Sequence, residues 1–220
     1  MPGWIDIENP VAPMRGWRAD PVGVPRGAVV VLQEIFGVNA HIREVTDRFA
    51  AAGFVALAPA LFDPVQPGVE LEYDQGGVDE GRGLTASLGF DRAVELIRAA
   101  ALVLQSEGLR TGAVGFCWGG TLALLANTRL GLPAASYYGG RSVPFLGERL
   151  RAPMLFHFGE HDPIIPPEHV AAHREAHPGA TVHVYPAGHG FNCGQRADFD
   201  PASAGLAWQR TIDFLEESLQ

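Results

Sequence analysis

The chain has 220 residues, 47% hydrophobic and 19% charged, enough for one sizeable core and too apolar for disorder to be its main state. Twenty-five acidic residues against 16 basic ones give a net charge of −9. All 16 are arginines and they form no run or stripe, which excludes a phosphate-backbone footprint and a polybasic membrane patch.

The N-terminus carries no basic, apolar leader, and no apolar run has the length of a bilayer span. Two cysteines, Cys117 and Cys193, make neither a disulfide framework nor a zinc site by themselves. The expectation is a cytoplasmic protein with reduced thiols, without nucleic-acid or membrane partners, existing as a monomer or weak homodimer.

In chain order, residues 4–7 and 14–18 read as two antiparallel edge strands. Residues 28–32, Ala-Val-Val-Val-Leu, form a continuous apolar strand of the kind buried on both faces. Asn39 caps a helical pattern through Ile42, Val45, Phe49 and Ala50 that Gly53 ends, and residues 54–57 are the next strand. Residues 62–89 are rich in Pro, Gly and Asp with weak periodicity, which predicts a long functional loop with a helical turn. A helix over 90–105 leads to a strand at 111–114 that runs into Gly115-Phe116-Cys117, and 121–127 is helical again. Strands at 134–138 and 154–158, a helix at 168–177, a strand at 181–185 and a terminal helix at 202–219 complete the pattern. This alternation predicts an α/β fold, one domain over 1–220, with a mostly parallel sheet and helices on both faces. The short connection between Tyr138 and Pro153 leaves no room for a cap domain.

Reactive side chains gather after three of the strands, where such sheets place their sites. Gly115-Phe116-Cys117-Trp118-Gly119 fits the nucleophile elbow G-x-S-x-G with Cys for Ser; the flanking glycines permit the sharp turn, and the helix start favours a thiolate. Gly159-Glu160-His161-Asp162 and Gly188-His189-Gly190 follow, giving nucleophile, acid and histidine in the chain order of α/β-hydrolases. Cys117, His189 and Asp162 fit the roles of nucleophile, base and orienting anion, with Glu160 a rival acid and His161 beside it; His157 and His183 lie within strands and read as packed or surface residues. Glu34 ends the first buried strand, and the amides of Ile35 and Trp118 are candidates for an oxyanion hole. His169, His173 and His177 share a helix face that could bind zinc, but no metalloenzyme motif accompanies them and the helix reads as solvated.

Gln33-Glu34-Ile35-Phe36-Gly37-Val38-Asn39, Gly115-Phe116-Cys117-Trp118-Gly119-Gly120, the Asp162 loop and Gly188-His189-Gly190-Phe191 together resemble the dienelactone hydrolase (carboxymethylenebutenolidase) family of α/β-hydrolases over nearly the whole chain. The resemblance implies hydrolysis of a small ester or lactone through a Cys-His-Asp triad and a thiol ester, without cofactor or metal. It also implies that Glu34 interacts with the thiol and helps ionise it when substrate arrives. The family's best-known members carry a substrate-binding arginine four residues after the histidine, where this sequence has Cys193; Arg196, three residues further on, is the candidate to replace it, and Arg82 is the candidate match to the family's other substrate arginine. Phe36, Trp118 and Phe191 are expected to wall an open cleft. The alternatives are a short-chain esterase or thioesterase with the same triad, or a redox-sensing or small-molecule-binding module built on Cys117 and Cys193, although Cys193 reads more simply as a space-filling residue.

Overall fold

A computed structural model describes residues 1–9 and 12–220. The chain forms two compact units, residues 1–112 with 219–220, and residues 113–218.

The first unit contains β1 (Gly3–Ile7), β2 (Met14–Ala19), β3 (Ala28–Leu32), α1 (Ala40–Ala51), β4 (Val55–Pro59), α2 (Gln75–Leu88) and α3 (Phe90–Ser106). Its strands lie in the order β1-β2-β4-β3. The first two pairings are antiparallel, with Trp4 opposite Trp17 and Trp17 opposite Ala58, whereas β3 and β4 run parallel. Every residue of β3 and β4 is buried. Successive side chains point to opposite faces, so both faces are covered, and α1 and α3 both pack on this pair. α1 starts where the sequence signals it: the Asn39 side-chain oxygen accepts the Ile42 N–H at 3.2 Å, and Ile42, Val45 and Phe49 face inward.

α2 corrects the expectation of a long loop over 62–89. Four glycines in its fourteen residues weaken both helix propensity and the hydrophobic period. It forms nonetheless, because Asp74 caps it through the Gly77 N–H at 2.8 Å and because Leu84, Thr85 and Leu88 are buried. Tertiary packing overrides local preference here.

The second unit holds β5 (Thr111–Phe116) from Ala113 onward, α4 (Trp118–Leu125) continued by a π turn at Ala126–Leu130, β6 (Ala134–Tyr137), β7 (Met154–Gly159), α5 (Pro167–Ala176), β8 (Thr181–Tyr185) and α6 (Pro201–Ser218). Its strands are all parallel, in the order β5-β6-β7-β8. The Tyr138–Pro153 connection contains a single 3-10 turn, Val143–Phe145. Eight mostly parallel strands interleaved with helices give the predicted α/β class, and among the described residues no helix is long and apolar enough to cross a membrane.

A polar chain runs through the core of this unit, and its directions can be worked out. Thr211 Oγ1 donates to the Ala207 carbonyl at 2.9 Å, so it can only accept from Tyr137 (2.6 Å) and from His157 Nε2 (3.0 Å). His157 Nδ1 then accepts from the Tyr185 hydroxyl (2.8 Å), whose oxygen takes an Arg210 N–H at 3.2 Å. A neutral imidazole satisfies every bond. Burial, with His183 and Arg210 nearby, holds the His157 pKa well below its ordinary 6.5.

A histidine held neutral in the fold but free to protonate when unfolded makes the unfolded chain bind more protons at low pH. Its contribution is therefore intact above pH 6.5 and is lost as pH falls below that value, by up to ~1.4 kcal/mol per pH unit. Thermal unfolding between pH 7.5 and 5 should show wild-type Tm falling with acid. His157→Gln should start less stable but decline more shallowly; a parallel decline would remove His157 as the source.

Candidate active site

β5 ends in a turn that only certain residues allow. Cys117 has φ 54° and ψ −114°, a strained conformation for a residue with a side chain. A Cβ at Gly115 would collide with the Gly119 carbonyl oxygen, and one at Gly120 would lie 2.5 Å from that of Tyr137. The glycines therefore let α4 turn back tightly over the strand. The Cys117 N–H donates to the Tyr137 carbonyl at 3.0 Å, and Cys117 remains partly exposed at the head of α4, one residue before the Trp118 amide.

The loops after β7 and β8 are tied to each other through the backbone. Glu160 N–H donates to Tyr185 C=O at 2.7 Å and His161 N–H to Ala187 C=O at 3.0 Å. Asp162 is thereby held beneath His189. Its Oδ1 accepts the Ile164 and Ile165 N–H groups at 2.8 and 3.2 Å, and its Oδ2 accepts His189 Nδ1–H at 2.7 Å. Because a carboxylate only accepts, His189 must carry its proton on Nδ1 and present Nε2 to the Cys117 sulfur, 3.2 Å away. Glu160 and His161, the rivals flanking Asp162, are both exposed.

Burial of His189 opposes a charged ring. The electrostatic attraction of Cys117 and the hydrogen bonds with Asp162 and Cys117 outweigh it, raising the pKa to about 10. Thiol and imidazole thus form one coupled protonic pair.

Phe191 is fully buried, its ring among Tyr137, Tyr138 and Tyr185 at 5.2–6.3 Å, so the expectation that it walls the cleft gives way to a packing role beneath the histidine loop. The Arg196 guanidinium lies across Gly190, its carbon 2.8 Å from where a Cβ would be, and so braces the residue after His189. In the first unit, Glu34 is wholly buried after β3, Ile35 and Phe36 follow it in the turn, and Arg82 is exposed on α2. Cys193 is a buried free thiol.

The face of α5 carrying histidines is packed, not solvated. His173 is buried against Phe156 and Phe158 with Nδ1 bonded to the His169 carbonyl, and His177 stacks on Phe156, so amphipathic imidazoles serve as aromatic packing there.

Two neighbours escape sequence reasoning. Tyr138, left-handed at φ 40°, sets its ring edgewise against His189 at 5.1 Å, and Tyr73 hydrogen-bonds Glu34 at 2.9 Å. The doubled tyrosine at the end of β6 was the available signal for the first; a tyrosine in an aperiodic stretch offers none for the second.

The model of the dienelactone hydrolase family matches residues 14–219. The chain is 30% identical to the carboxymethylenebutenolidase of Pseudomonas putida, covering 89% of this chain and 87% of that protein. It is 31% identical to a candidate carboxymethylenebutenolidase of Synechocystis, covering 98% and 96% respectively. A crystal structure of a candidate dienelactone hydrolase from Klebsiella pneumoniae superposes with a TM-score of 0.85 at 29% identity, covering 97% of each chain.

The charge on Cys117 and its bond to Nε2 both raise the His189 pKa, so Cys117→Ser should bring the imidazole titration down from about 10, as followed by NMR of the ring protons. Asp162→Asn should lower it too, and a titration unmoved by both changes would contradict the coupling.

Proposed function

The chain belongs to the dienelactone hydrolase family, with its α/β-hydrolase fold, and we propose that it hydrolyses a small ester or lactone through Cys117, His189 and Asp162. The observation that carries this reading is the line from Asp162 Oδ2 through His189 to the Cys117 sulfur, 2.7 and 3.2 Å long. Those distances suit proton transfer between sulfur and ring.

In this mechanism the Cys117 thiol passes its proton to His189 Nε2, the thiolate attacks the substrate carbonyl carbon, and the carbonyl electron pair moves onto oxygen. The Trp118 N–H, at the positive end of α4, stabilises that oxyanion. Collapse expels the ester or ring oxygen, which takes a proton from His189 Nε2, and leaves a thiol ester on Cys117. Water gives a proton to Nε2 and attacks the thiol ester; the sulfur leaves, and the carboxylic acid is released. Asp162 keeps the ring in the one tautomer that serves both halves. In the same reading Glu34 interacts with the thiol and favours its ionisation, and the Ile35 amide is a second oxyanion donor. No step requires a cofactor.

The substrate class has a second reading, a neutral short-chain ester. It is favoured by the position of the two candidate arginines, since Arg196 is folded over Gly190 and Arg82 is exposed on α2.

Steady-state hydrolysis of a dienelactone beside p-nitrophenyl acetate tests both readings. Cys117→Ala should lower kcat/KM by roughly three orders of magnitude or more on whichever substrate is cleaved. Acid quenching during turnover should trap an acyl adduct on Cys117, visible by intact mass. Wild-type turnover of p-nitrophenyl acetate alone would select the neutral ester, and undiminished activity in Cys117→Ala would rule out the thiol mechanism.

A further inference from the structure

The segment from Val69 to Gly81 is drawn onto the turn that follows β3. Leu71 N–H donates to Phe36 C=O at 2.9 Å, Gly37 and Glu70 form a bridge, and the rings of Phe36 and Tyr73 lie 4.5 Å apart. A Cβ at Gly81 would collide with the Ile35 carbonyl oxygen, so glycine is what lets α2 come this close. The fold thereby delivers the Tyr73 phenol to Glu34 Oε2 at 2.9 Å, across 39 positions of sequence, where Glu34 has no exposed surface.

The direction of this bond follows from a helix cap. Asn39 Oδ1 accepts the Ile42 N–H at 3.2 Å, which turns the amide nitrogen toward Tyr73, and Nδ2 donates to the phenol oxygen at 3.1 Å. Flipping the amide would set its N–H against that of Ile42. With the phenol oxygen accepting from Asn39, the phenol proton is directed onto Oε2. His41 is the titratable side chain that reaches the same carboxylate from α1, a ring nitrogen lying within 4.8 Å. Arg43 is committed elsewhere, to the Val38 carbonyl and Glu70.

We propose that Tyr73 is a positioning residue for Glu34: with Asn39 donating to the phenol oxygen, the phenol proton is held on Oε2 and fixes the orientation in which the carboxylate serves the reaction. This rests on the reading of Glu34 as the group that favours ionisation of the thiol in the hydrolytic reaction. Tyr73 itself neither gains nor loses a proton in the cycle.

The test is isotope-edited infrared spectroscopy of the full chain labelled with carboxyl-¹³C glutamate, with Glu34→Gln identifying the Glu34 band. Tyr73→Phe should move that band. Asn39→Asp keeps a good helix cap yet removes the donor, so it should move the band in the same sense without unfolding α1. Since a hydrogen bond to a charged group is at stake, kcat should fall roughly ten- to a hundred-fold in Tyr73→Phe with KM little changed. A Glu34 band unmoved in both variants overturns the proposal. A band that moves while Glu34→Gln retains wild-type kcat keeps the relay and instead overturns the reading that Glu34 favours ionisation of the thiol.

Discussion

A carboxylate with no exposed surface has to be met by donors, and Asp162 is met by three: two backbone N–H groups and one imidazole. That requirement organises the second unit. The two amides fix the Asp162 loop, the third donor fixes the tautomer and angle of His189, and the freed Nε2 is thereby aimed at sulfur. Removing any one donor would leave a buried charge undercompensated, so the pieces hold each other in place. The raised pKa of His189 is the same arrangement seen from the ring's side, with burial opposing the charge and its partners prevailing.

Beneath this line lies a second polar system that touches no candidate catalytic atom. The chain from Arg210 through Tyr185, His157 and Thr211 to Tyr137 links α6 to three neighbouring strands. Tyr137 and Tyr185 also flank Phe191, two residues beyond His189. The histidine loop thus rests on a floor that is rigid because each of its hydrogen bonds has one permitted direction.

What was legible in the sequence follows from which chemistry leaves local traces. The elbow at Cys117 must be written in glycines, because the turn excludes side chains, and the order of Cys117, Asp162 and His189 survives any loop variation between them. The strand at 28–32 was legible to the residue because an apolar run reports burial directly, and that at 181–185 because its β-branched and aromatic residues favour a strand even though only Tyr185 is buried. α2 was not legible, since its cap and its docking, rather than its periodicity, create it. Nor was Tyr73, whose partner lies far along the chain, nor the fate of Arg196, whose exposure depends on how a turn folds back. The α5 histidines misled because an imidazole at helical spacing looks the same whether it faces water or Phe156.

The glycines of α2 have one more implication. Each costs a helix about 0.5–1 kcal/mol relative to alanine, and four occur within fourteen residues, so this helix has little stability of its own. It exists by virtue of being docked, and it carries Tyr73 at its threshold. Undocking of α2 would therefore release Tyr73 from the Glu34 turn, a local opening of the kind that spares the rest of a fold. Amide exchange across α2 would then report how often the carboxylate loses its tyrosine while the thiol–imidazole line stays intact.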